Sequence, residues 1–220
     1  MHILLANVVA EYFRKGGPIM WPIAVVAFVL LAVVVERCAF WFLHARRRDP
    51  VALEKVLAAM ENQDFKAAVD CARGSDDPVV RMIFHGLTHV HGSLQGALQV
   101  AAGVELKRAG RFLVLVDTAI TLAPLLGLLG TVTGIMKSFR EVVGELAVQG
   151  VTNGIGEALI ATACGLAVAI CGVFFFNLFN EFVEKLRFDL ETAATNVEVM
   201  VTKAKQEGFD TMVFRRTQSA

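Results

Sequence analysis

Apolar residues gather into three stretches long enough to cross a ~30 Å hydrocarbon core, separated by segments whose apolar positions recur at helical spacing. The first stretch runs from about residue 19 to 43. Pro18 and Pro22 stand where a first helical turn tolerates proline, and Trp21, Trp41 and Phe42 fall near the two interfaces. At roughly 1.5 Å per residue this stretch spans the core with some tilt. Glu36 and Arg37, near its inner end, read as a neighbouring ion pair that snorkels to the headgroups.

The flanking segments are helical by pattern too. Residues 2–15 set Ile3, Leu4, Leu5, Val8, Val9, Tyr12 and Phe13 mostly on one face and close with Arg14 and Lys15, which predicts a short amphipathic helix on the membrane surface. A signal peptide would carry its positive charge before the apolar run, and this segment does not. Residues 44–113 open with Arg46-Arg47-Arg48 and then Asp49-Pro50, a helix start, and break at Gly74-Ser75-Asp76-Asp77-Pro78. From Ser93 the positions Leu94, Leu98, Ala101 and Val104 lead towards Phe112 without a strong breaker. The second spanning helix, over 112–136, is therefore expected to extend well beyond the membrane. The third covers 155–179, and two glycines lie in the loop between them. Beyond it, Val183, Leu186, Leu190, Ala193, Val197 and Met200 recur in steps of three and four, the seam of a helix packed in a bundle. From Lys203 onward the pattern is lost.

Composition agrees with an all-α membrane protein carrying polar parts. Apolar residues make up 55 % of the chain, and 21 basic residues balance 21 acidic ones, so no net field points to nucleic acid or an acidic substrate. Mean hydropathy is +0.58. Basic residues are unevenly placed: ten in 44–113 and six after residue 179, against Arg14, Lys15, Lys137 and Arg140 elsewhere outside the spans. The positive-inside rule then puts the N-terminus outside and the C-terminus in the cytoplasm, which three crossings satisfy. On this reading 1–18 is a periplasmic amphipathic segment, and 19–43, 112–136 and 155–179 are transmembrane helices. Residues 44–113 form a cytoplasmic helical domain, 137–154 a periplasmic loop, and 180–220 a cytoplasmic C-terminal helix and tail.

Enzymatic signatures are absent from the sequence: no phosphate-binding glycine loop, nucleophile elbow or pair of catalytic carboxylates occurs, and the reading is not an enzyme. Cys38, Cys71, Cys164 and Cys171 have neither metal-ligand nor redox spacing, so free thiols are expected. His85 and His89 stand one helical turn apart with His91 close by, but no carboxylate or cysteine completes a site, so neither metal nor cofactor is expected.

The second and third spans carry the chemistry. Ala123, Gly127, Gly130, Thr131 and Gly134 repeat at helical spacing in one, and Gly154, Ala158, Ala161, Gly165, Ala169 and Gly172 in the other. Small faces let helices approach closely in lipid, and on their own they mark packing. Polar residues add a second meaning. Thr131 and Thr162 are equidistant from the middle of the connecting loop, so antiparallel helices place them at similar depth. Glu157 lies five residues before Thr162. The residues alone leave it between a headgroup-level charge near a helix N-terminus and a buried carboxyl that exchanges a proton.

Thr121–Phe139, TLAPLLGLLGTVTGIMKSF, and Gly154–Asn177, GIGEALIATACGLAVAICGVFFFN, resemble the signature of the MotA/TolQ/ExbB family of membrane proton channels, closest to the ExbB/TolQ branch. The specific match covers about 121–177; the first helix and the cytoplasmic region agree in layout only. The resemblance implies a three-helix subunit, a homo-oligomeric ring of five copies, and single-span ExbD/TolR-like partners whose aspartate takes the proton. A TonB-like or TolA-like protein would be a third component, in the bacterial inner membrane. It implies a proton-channel subunit that energises outer-membrane transport or envelope integrity, with Thr131, Thr162 and Glu157 lining the pathway and Pro124 the proline of the second helix. Gly127, Gly130, Gly134, Ala158 and Gly165 are the packing positions. The flagellar branch has four crossings and a larger cytoplasmic domain. Two rivals are a non-conducting scaffold for single-span partners and a solute transporter, the latter without an internal repeat to support it. The chain departs from the ExbB/TolQ pattern at Cys171, where proline is usual, so a kink attributed to that proline is not implied. Asp117 is a second departure: either an interfacial or salt-bridged carboxylate, or a group at the cytoplasmic exit.

Overall fold

The computed structural model describes residues 13, 15–89, 93–140 and 147–206, with side chains in the last stretch from 154 onward. Most of the expected amphipathic segment, the middle of the 137–154 segment, His91 and the tail beyond Gln206 lie outside the described residues. Every described element is a helix, and three are long and apolar enough to cross a membrane. The chain is an all-α membrane protein. It divides into two compact units, Met1–Arg37 with Phe112–Phe179, and Cys38–Arg111 with Asn180–Ala220.

The first unit is built from α1 (Met20–Arg47), α6 (Leu113–Arg140) and α7 (Ala147–Gln206), the first and last of which continue into the second unit. Each helix keeps large apolar side chains exposed, among them Phe28, Val114 and Ile170, as a lipid-facing surface requires. The opposite faces meet in a small core where Met20 and Ile23 of α1 pack with Ala161, beside Leu126, Cys164 and Val168. Glu36 is exposed, but Arg37 does not reach outward as a snorkelling side chain would. Arg37 is only 2 % exposed and donates from Nε and Nη2 to the Glu36 carboxylate at 2.5 and 2.7 Å. Its guanidinium also stands 5.7 Å from the centre of the Phe112 ring. A neighbouring acid and an aromatic face give the charge partners that a lipid-facing arginine would have to seek in the headgroups.

In the second unit, four short helices precede α6: α2 (Pro50–Glu61), α3 (Phe65–Ala72), α4 (Pro78–Thr88) and α5 (Leu94–Ala109). Each has a side-chain cap, from Asp49, Asp64, Asp77 and Ser93, accepting a backbone N–H of its first turn. α2 packs on α3 and α4 on α5. Val56, Met60, Phe65, Val80, Met82, Ile83 and Leu98 are buried, and Gly86 lets α4 approach Leu98 where a Cβ would collide. The predicted break at 74–78 is present: Gly74 takes φ +77° and Asp77 caps the next helix. Buried Asp77 also accepts from the Asp49 N–H at 2.9 Å. Arg81 holds Glu105 through a paired hydrogen bond that pushes the guanidinium pKa further up. Arg48 reaches Asp189 of α7 at 2.7 Å.

The expected run of helix from Ser93 through Phe112 is not continuous. α5 ends at Ala109, Gly110 caps it, and Phe112 adopts φ +68° before α6 begins. A left-handed phenylalanine is a strained state that nothing in its residue type announces. Helix also enters the 137–154 segment from both sides, since α6 continues to Arg140 and α7 starts at Ala147.

Candidate functional site

Glycines set the distance between α6 and α7. A Cβ on Gly127 would stand 2.9 Å from the Thr162 Cα, one on Gly130 2.7 Å from the Ala161 Cβ, and one on Gly134 2.9 Å from the Ala158 Cβ. From the other side, a Cβ on Gly165 would run into the Ala123 carbonyl oxygen. Without a hydrophobic drive between helices in lipid, such backbone approach supplies the packing energy. Thr162 uses it: its hydroxyl donates across the seam to the Gly127 carbonyl at 2.8 Å, and back along α7 to Ala158 at 3.3 Å. Half-buried Pro124 lies inside α6, a position a spanning helix tolerates.

The register refines the expected depths. Thr162 meets Gly127, four residues before Thr131, so the two threonines are offset by roughly 6 Å along the axis. Thr131 is half-buried and its hydroxyl donates to the Leu128 carbonyl at 2.7 Å. Glu157 and Thr162, five residues apart, point roughly 140° apart around α7. Among the described residues, no hydrogen bond or ion pair joins Thr131, Thr162 and Glu157 within one subunit. Asp117 is exposed, and so is Cys171, past which α7 runs uninterrupted.

Glu157 has neighbours that the sequence reading missed. Because α7 begins at Ala147, the carboxylate lies ten residues inside the helix, beyond reach of the N-terminal dipole. Its partner is the Lys137 ammonium, 3.7 Å from Oε2. Gly17, on the chain entering α1, presses against the same side chain. Lys137 lies one helical turn past Gly134, which packs on Ala158, so counting the glycine register would have brought lysine and glutamate level.

His89 Nδ1 lies 3.0 Å from the Thr88 hydroxyl and 3.2 Å from the His85 carbonyl. Among the described residues no cluster of three metal-ligating side chains occurs.

Comparison with known proteins meets this geometry at the same helices. Residues 75–192 match the family described as the MotA/TolQ/ExbB proton channel family. The putative biopolymer transport protein ExbB-like 3 of a Synechocystis species is 34 % identical over 173 residues, covering 75 % of this chain and 81 % of that protein. The Tol-Pal system protein TolQ of Pseudomonas aeruginosa is 31 % identical over 188 residues, 74 % of this chain and 81 % of its own. The biopolymer transport protein ExbB of Neisseria gonorrhoeae is 39 % identical over 85 residues, 38 % of this chain and 39 % of that one. With its matched region containing both α6 and the small-residue part of α7, the chain belongs to the MotA/TolQ/ExbB proton channel family.

Proposed function

We propose that this chain is the channel-forming subunit of an inner-membrane motor that spends the proton motive force on outer-membrane transport or envelope integrity. The observation that carries the reading is a carboxylate and a set of hydroxyls on a glycine-seamed helix pair inside the family-matched region. Polar groups at membrane depth are costly and are found where ions or protons move. The names of the relatives, biopolymer transport and the Tol-Pal system, support the envelope task.

In this proposal five copies form a closed ring that turns Thr131, Thr162 and Glu157 towards a shared interior. There they meet a single-span ExbD/TolR-like partner whose aspartate accepts the proton. A TonB-like or TolA-like protein receives the movement. Asp117 is the candidate for the cytoplasmic exit. The N-terminal segment and the 137–154 segment face the periplasm, and 44–113 with the C-terminal helix faces the cytoplasm, following the basic residues. Each elementary charge crossing 100 mV releases about 2.3 kcal/mol, which repeated passage converts to motion of the partner.

Liposomes carrying the chain and an ExbD/TolR-like partner should conduct protons down an imposed gradient, whereas either protein alone should not. Proton-tight liposomes with both proteins present and assembled would instead favour a non-conducting scaffold.

A further inference from the structure

Glu157 is held from two directions. Lys137 approaches from α6 at 3.7 Å, and Gly17 approaches from the chain entering α1, so close that a Cβ there would overlap the glutamate side chain from Cγ to Oε1. The acid is the less exposed partner of the pair, 23 % against 58 % for the lysine, so the ammonium reaches inward to the carboxylate. Lysine is a point charge on a flexible stem and by itself fixes little geometry. Here the opposite wall is backbone. Gly17 takes φ +72°, a conformation glycine adopts without penalty and a side chain resists. Ammonium on one side and bare backbone on the other flank the carboxylate where the chain entering α1 meets α7.

We propose that Lys137 is a positioning residue for Glu157: it draws the carboxylate against the Gly17 turn and keeps it where the start of α1, the end of α6 and the first half of α7 meet. The inference rests on the reading of Glu157 as part of the proton pathway. It adds that the pathway works only while the carboxylate is tethered there. Lysine's charge, rather than its shape, is what the tether needs.

Proton flux would be measured in liposomes containing the full chain and an ExbD/TolR-like partner, for the wild type, Lys137→Met, Lys137→Arg, Gly17→Ala and Glu157→Gln. Native mass spectrometry of each variant would check assembly. Lys137→Met and Gly17→Ala should each lower flux about tenfold or more without loss of assembly, as misplacement of a reacting group does. Lys137→Arg should restore it to within about twofold, because a cation returns to the same place. A flux in Lys137→Met equal to wild type, alongside a silent Glu157→Gln, would overturn the tether alone. The same holds if Lys137→Arg is as impaired as Lys137→Met, or if Lys137→Met loses flux only by losing assembly. Glu157→Gln conducting like wild type would overturn the pathway reading and the tether with it.

Discussion

Two halves of α7 use one spacing for opposite purposes. In the first half the buried positions are Gly154, Ala158, Ala161, Gly165, Ala169 and Gly172, and the outward face carries Leu159, Leu166, Ile170 and Phe174. In the second half the buried positions are Phe179, Val183, Leu186, Leu190, Ala193, Val197, Val201 and Ala204, and the outward face carries Glu181, Glu184, Lys185, Arg187 and Glu191. Both rows advance by three and four residues. Only size and surroundings differ. A helix surrounded by lipid gains nothing by hiding leucine from its solvent, so it brings backbones together through small residues. A helix in water gains about 25 cal/mol per Å² of buried apolar surface, so it fills its seam with large ones. Glu157 and Thr162, proposed to move protons, sit in the half where close backbone approach, and not side-chain bulk, sets the geometry.

The contrast is broken most severely by exchanging the rules. Gly165→Leu should force α6 and α7 apart, and with them the proposed ring, because the branched side chain runs into the Ala123 carbonyl. Native mass spectrometry in detergent would read this as loss of the proposed ring. A change in the other half works by the opposite defect, a cavity. Leu190→Ala, at a fully buried position, should cost about 3 kcal/mol. Thermal unfolding followed by circular dichroism should show it as a lower Tm with the helix content retained below the transition.

How much of this was legible in the residue pattern depends on how many elements each feature needs. The three spans, the Asp49-Pro50 start, the 74–78 break and the two seams are one-dimensional signals, and the structure contains them. The helix break at Gly110–Phe112 was not legible, because a left-handed phenylalanine is imposed by its surroundings and contradicts its own preference. Burial of Arg37 was not legible either: an arginine beside a glutamate at a span's end looks the same whether it snorkels or folds inward over Phe112. In the sequence Lys137 reads only as a charge outside the membrane. Its meeting with Glu157 depends on the α6–α7 register, which the glycine contacts reveal.

A smaller effect tests the water-exposed unit through its caps. Asp77→Ala removes the acceptor for the N–H groups of Val79 and Asp49 and should cost about 2 kcal/mol. Asp77→Asn, which keeps an acceptor oxygen, should recover most of the lost Tm. The smallest stability effect belongs to the lipid seam. Thr162→Val deletes one interhelical hydrogen bond at nearly constant volume and should cost only about 0.6 kcal/mol, because such bonds in membranes are individually weak. That small cost makes it a clean probe of function.

Proton flux through liposomes holding the full chain and an ExbD/TolR-like partner, compared among wild type, Glu157→Gln and Thr162→Val, therefore tests the central claim most directly. Both variants should remain assembled by native mass spectrometry while proton flux falls far below that of the wild type. Wild-type flux in both assembled variants would contradict the account and leave the polar residues of this helix pair with a packing role alone.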